Sequence, residues 1–159
     1  SEWHECRLCA LLILIEKYKQ SPEDAVNFYL GHTAGINNWD LVDLSAPYIL
    51  GDYLSNQENR RILYELAGSP DMWEQRISVV STLMLIRRGF YMDTIELAKK
   101  FIDTKHDLIQ KAVGWMLREV GKRNEDLLIS FLDEYRHRMP RTMLRYAIER
   151  FKSRYICGS

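Results

Sequence analysis

The sequence predicts an all-α fold, a superhelical solenoid of antiparallel helix pairs, and three observations carry that prediction. Apolar residues recur at three- and four-residue steps in one segment after another, and no strand-like alternation competes over any useful length. The chain has only four prolines and eight glycines, and most of them stand where such segments begin or end. The segments run 10–19 residues with short links, so consecutive helices are expected to pack antiparallel. At 159 residues, with 47% hydrophobic and 28% charged side chains, the chain can bury a continuous core as one domain spanning 1–159.

Helices are expected near 3–19, 22–31, 38–54, 57–67, 70–88, 92–103, 106–121, 124–138 and 140–154. Ser21-Pro22-Glu23-Asp24 starts the second with a capping serine, a first-turn proline and an acid close behind. Asn38 caps the third and Trp39 opens it. Pro47 cannot donate to the carbonyl of residue 43, so that helix should bend or loosen there. Ser69-Pro70-Asp71 repeats the start signal ahead of the fifth. Gly31, Gly35, Gly51, Gly68, Gly89 and Gly121 read as helix-end glycines. Pairing the helices gives units of about 35–40 residues, the range of HEAT-type repeats. The units share no clear sequence identity, so a non-repeating helical bundle stays open as the alternative.

Composition narrows the function classes. The most apolar run, Leu11 to Ile15, is far too short to cross a bilayer, and no secretory signal pattern is evident, so a cytoplasmic location is expected. Cys6 and Cys9 have no second pair to complete a zinc site and are expected to pack as small hydrophobes. His4-Glu5 starts like a zincin motif, but Leu8 stands where the second histidine belongs. Ser45, Cys6, Cys9 and Cys157 lack any evident histidine relay, which disfavours nucleophilic catalysis. Net charge is zero, yet residues 1–110 carry 11 basic against 16 acidic side chains and residues 111–159 carry 11 against 6. A basic C-terminal third permits a polyanionic partner, although a solvated helical surface explains it equally.

Three helices hold residues of the wrong character for their position. Trp39 lies 37 positions before Arg76, and Arg76 lies 39 before Trp115, close to one repeat each time. Asp43 falls one turn after Trp39, beside its indole, in an otherwise apolar stretch. Arg76 emerges among Met72, Val79 and Leu83, and a buried guanidinium needs an anion, either Asp43 or a phosphate. Leu108, Ile109, Ala112, Val113, Met116, Leu117 and Val120 form the apolar stripe of the helix near 106–121. Its other side carries Lys111, Trp115, Arg118 and Lys122. Cations that hold phosphates, with a ring offered to sugar or base, would explain that row; packing of Trp115 on a neighbour with solvated cations explains it too.

The runs NNWDLVD, EQRISVV, IQKAVGWMLREVGK and MPRTMLRYAIERF, in this order and spacing, resemble the AlkD-like DNA alkylation repair proteins, HEAT-repeat alkylpurine DNA glycosylases. The similarity covers nearly the whole chain. It implies excision of positively charged N3- or N7-alkylated purines from duplex DNA by cleavage of the N-glycosidic bond, without the base flipping usual among glycosylases. By position, Asp43 resembles the family's catalytic aspartate and Trp39 and Trp115 its two sugar-contacting tryptophans. Arg76 resembles the arginine that holds the nearby backbone. Ser1 to Lys19 resembles a mid-chain helix of the family, so the resemblance implies that the family's N-terminal helices are missing here.

An alkylpurine cation is already a good leaving group, so one carboxylate can both stabilise an oxocarbenium-like sugar and place a water. Asp43, Trp39, Trp115 and Arg76 are therefore the candidate catalytic set, and Lys111, Arg118 and Lys122 the candidate DNA-backbone contacts. The expected partner is double-stranded DNA carrying alkylated purines, with nucleoid association following from it. No metal, other cofactor, membrane or obligate protein partner is called for. The alternative is a non-catalytic HEAT-like scaffold that binds DNA or protein through the same concave surface.

Overall fold

The computed structural model describes residues 2–149, and among these the only regular structure is helical. The helices are α1 (Glu2–Gln20), α2 (Pro22–Gly31), α3 (Trp39–Ala46), α4 (Asp52–Ser55), α5 (Arg61–Ala67), α6 (Met72–Arg87), α7 (Met92–Lys100), α8 (Asp107–Arg123), α9 (Glu125–Tyr135) and α10 (Arg141–Ala147). A short 3₁₀ turn, Thr33–Gly35, follows α2, and a π turn, Pro47–Gly51, joins α3 to α4 without a break in the helical rod.

The helices stack as an all-α solenoid. α3 and the π turn pack on α6, α6 on α8, and α8 on α10, giving one continuous row. α2, α5, α7 and α9 back that row, while α1 pairs with α2 and touches α3. Being enclosed from both sides, α6 buries every residue from Arg76 to Leu83, together with Leu85 and Ile86. A helix surrounded on both flanks cannot show a one-sided stripe, and its buried hydroxyls must bond to backbone instead. Ser78 donates to the Gln75 carbonyl and Thr82 to the Val79 carbonyl, each at 2.6 Å.

Close packing explains two glycines that the sequence reading placed at helix ends or passed over. Gly51 lies inside the rod, where a Cβ would run into the Ser81 carbonyl of α6. Gly114 lies mid-helix in α8, where a Cβ would stand 2.6 Å from the Met143 carbonyl oxygen of α10. Gly121 is likewise interior to α8, which continues to Arg123. Among the described residues only Gly89 takes the left-handed conformation, with φ +88°.

The start signals divide. Ser21 and Asn38 occupy N-cap positions but make no side-chain cap bond. Asp71, two residues after Ser69, is the working cap of α6 and accepts from the Trp73 amide at 2.9 Å. Cys6 and Cys9 are exposed rather than packed, because α1 is an edge helix with neighbours on one side. The expected last helix is described as far as α10; its remainder near 150–154, and Cys157, lie outside the described residues. No helix among the described residues is long and apolar enough to cross a membrane.

Candidate functional site

The site begins at the π turn. Pro47 has no amide hydrogen to continue the α3 ladder, and the backbone widens into five π-helical residues. One turn ahead of it, Asp43 faces α6 and meets Arg76. The Arg76 Nε donates to Asp43 Oδ1 at 3.3 Å and Nη2 donates to Oδ2 at 3.1 Å. The remaining Nη1 donates to the Leu108 carbonyl at the start of α8. One guanidinium, only 5% exposed, thus ties together three helices of the row. The two parallel N–H bonds are the fork geometry that arginine makes with an ionised carboxylate.

Asp43 keeps 22% of its side chain exposed at the cleft. Burial pushes its carboxyl above the ordinary value of 3.8; the hydrogen bonds and charge of Arg76 oppose that rise, and nearby Asp40 adds to it. Asp40 is in turn held from α1, by His4 Nε2 at 2.9 Å, and Arg7 donates to Asn37 at 2.8 Å. α1 therefore braces both sides of Trp39.

The pair sits at the floor of an open cleft of about 400 Å³ that Trp39, Trp115, Lys111 and Arg118 also line. All four residues proposed as catalytic thus converge on one concavity. Trp39 is 54% exposed at its mouth. Trp115 is half-buried, and its indole N–H donates to Glu119 at 3.3 Å. The cations do not stand bare. Lys111 pairs with Asp107 at 2.9 Å, which holds its ammonium above the ordinary lysine range. Arg118 pairs with Glu149, and Lys122 with Glu119 at 2.9 Å. Lys122 lies outside the cleft lining, unlike Lys111 and Arg118.

Two lining residues escaped the sequence reading. Helical spacing puts Leu108 in the buried stripe of α8, but the structure opens it to the cleft while its carbonyl receives Arg76. Tyr146 enters the cleft from α10. The available signal was Gly114: an interior helix glycine is unfavourable by about 1 kcal/mol relative to alanine and marks a place where another backbone comes close. Among the described residues no cluster of three or more histidine, cysteine or acidic side chains could hold a metal ion.

Fold and site together define an all-helical solenoid with a carboxylate–guanidinium pair framed by aromatic rings and cations. The chain belongs to the DNA alkylation repair enzyme family, whose model matches residues 1–151. Among solved structures, a predicted DNA alkylation repair enzyme from Enterococcus faecalis is similar, with a TM-score of 0.73 and 22% sequence identity. The match covers 87% of this chain and 65% of that one, so the chain spans somewhat less than two thirds of that protein's length. No curated protein sequence matches it.

Proposed function

We propose that the chain acts on double-stranded DNA as an alkylpurine glycosylase of HEAT-like architecture, releasing N3- and N7-alkylated purines in base-excision repair. The observation that carries this reading is the convergence of Asp43, Arg76, Trp39 and Trp115 on one open cleft bordered by Lys111 and Arg118. An open cleft suits a lesion approached along a duplex better than a closed base pocket does. Nucleoid association follows from the same substrate.

The reaction asks little of the protein. The bond between the sugar C1′ and the purine breaks, its electron pair passes to the cationic base, and the base leaves neutral. The sugar becomes oxocarbenium-like until water adds at C1′, and the proton that water loses passes to Asp43 or to solvent. Asp43 supplies the negative charge that stabilises this sugar and directs the water. The indoles of Trp39 and Trp115 present their electron-rich faces to the same positive charge. Arg76 keeps Asp43 ionised and aimed into the cleft, and Lys111 and Arg118 take flanking phosphates.

A unit charge about 4 Å from a developing cation is worth about 4 kcal/mol at an effective dielectric of about 20. Asp43→Asn is therefore expected to slow release of 7-methylguanine from methylated duplex about a thousandfold. Release within about threefold of wild type by a folded Asp43→Asn protein overturns the role of Asp43. Duplex binding without release by the wild-type chain replaces catalysis with a binding module.

A further inference from the structure

Tyr146 lines the cleft from the side of α10 that faces α8. On that side Met143 and Ala147 are buried, and Tyr146, three residues after Met143, lies beside them and reaches the cleft. Its position depends on a notch in α8. A Cβ at Gly114 would stand 2.5 Å from the Tyr146 Cβ, so the absent side chain lets α10 seat Tyr146 against the helix that carries Trp115. Among the described residues the Tyr146 hydroxyl has no hydrogen-bond partner, in contrast to the ion-paired cations around it. The Arg145 guanidinium lies 5.6 Å from its ring centroid, and Lys111 lines the same cleft. An apolar ring with an unspent donor, between two cations, matches a sugar–phosphate unit: ring against deoxyribose, hydroxyl to a phosphate oxygen.

We infer that Tyr146 is a substrate-positioning residue, its ring walling the cleft beside Trp115 and its hydroxyl donating to a DNA phosphate shared with Lys111. This rests on the proposed function, and the test separates the two. Duplex binding and single-turnover release of 7-methylguanine are measured for the whole chain and its variants over a range of salt concentrations.

Tyr146→Phe is expected to weaken duplex binding about tenfold, the worth of one hydrogen bond to a charged acceptor, with the melting temperature of the protein unchanged. Because a neutral phenol displaces no counterion, its plot of log affinity against log salt keeps the wild-type slope, whereas Lys111→Ala flattens that slope by about 0.9. Tyr146→Ala weakens binding further and slows release, and Gly114→Ala reproduces that defect by moving α10. Binding loss in Tyr146→Ala with none in Tyr146→Phe overturns the phosphate contact. Wild-type binding and release by both Tyr146 variants overturns the inference as a whole and leaves the proposed function standing. If the wild-type chain binds duplex but frees no base, the proposed function fails while Tyr146 is still judged on binding; if it binds no duplex, both fall.

Discussion

Replacing Arg76 with methionine keeps an unbranched apolar stem as far as the position of Nε and removes the guanidinium. Three partners lose a donor: both oxygens of Asp43 and the Leu108 carbonyl. Breaking a buried pair from one side costs about 3–5 kcal/mol, and because Asp43 retains 22% exposure the lower end applies. At about 2–4 °C per kcal/mol for a domain of this size, the melting temperature falls by roughly 6–12 °C. That loss depends on pH. Burial already raises the Asp43 carboxyl above 3.8 and Arg76 works against the rise, so removing Arg76 raises it further. A carboxyl raised in the folded state favours folding only while protonated; the benefit is complete below its unfolded value and vanishes as pH climbs through the folded one. The gap in melting temperature between variant and wild type therefore widens from about pH 4 to neutrality. The acid limb of the pH profile for 7-methylguanine release moves upward in parallel. Calorimetric melts at several pH values and a release assay read both. A gap constant with pH, an unmoved acid limb and a salt slope lowered by about 0.9 would instead assign Arg76 to a phosphate and refute its role at Asp43.

On the proposed function the working form is ionised Asp43, and because burial raises its carboxyl the wild-type release rate should fall on acidification at a pH above that of an ordinary aspartate; a limb at or below 3.8 contradicts this. Trp39→Ala should leave stability within about 0.5 kcal/mol, as the ring is 54% exposed, yet slow release roughly tenfold by removing one cation–π face. Matched melts and single-turnover assays separate those two effects. Gly51→Ala should destabilise the protein by about 1–3 kcal/mol despite the better helix propensity of alanine, since its methyl group meets the Ser81 carbonyl. A melting temperature at or above wild type would show that α3 and α6 can separate without loss.

The helices were legible because most are amphipathic and their ends carry proline, glycine or an acid. The π turn was legible in one residue: Pro47 removes a donor at a fixed place, and the backbone answers there. Asp43, Arg76, Trp39 and Trp115 could be picked out because each violates the character of its face, and a spacing near one repeat hinted that they share a surface. Pattern alone left open whether Arg76 serves Asp43 or a phosphate, since both satisfy a buried guanidinium; only coordinates show the fork to Asp43. Gly51, expected at a helix end, and Gly114, given no role, were illegible for a different reason. A glycine that ends a helix and one that admits a neighbouring backbone look identical in one dimension, and the second kind depends on which helix arrives. Tyr146 stayed hidden because its neighbours on α10 follow an ordinary buried pattern and nothing local marks it as the residue that faces the cleft.

The acids beside the rim cations bear on how a chain of zero net charge could hold DNA. Lys111, Arg118 and Lys122 each arrive with a carboxylate already in place, from Asp107, Glu149 and Glu119. Each pair keeps at least one partner open to water, and pairs open to water contribute about 0–1 kcal/mol, so a phosphate can displace or share the carboxylate at small cost. What the acids do is lower the long-range field, and with it, on the proposed function, the affinity for undamaged duplex that a bare basic rim would confer. Glu119 is the most informative of the three, since it also accepts the Trp115 indole N–H and so couples a rim charge to a cleft ring. On the proposed function, Glu119→Gln keeps that acceptor and removes the charge. Binding to unmodified duplex should then rise and steepen with falling salt, while the preference for methylated over unmodified duplex shrinks. Titration of both duplexes over the same salt range measures the two together, and a preference that holds while affinity rises would leave the acids as ordinary solvated partners.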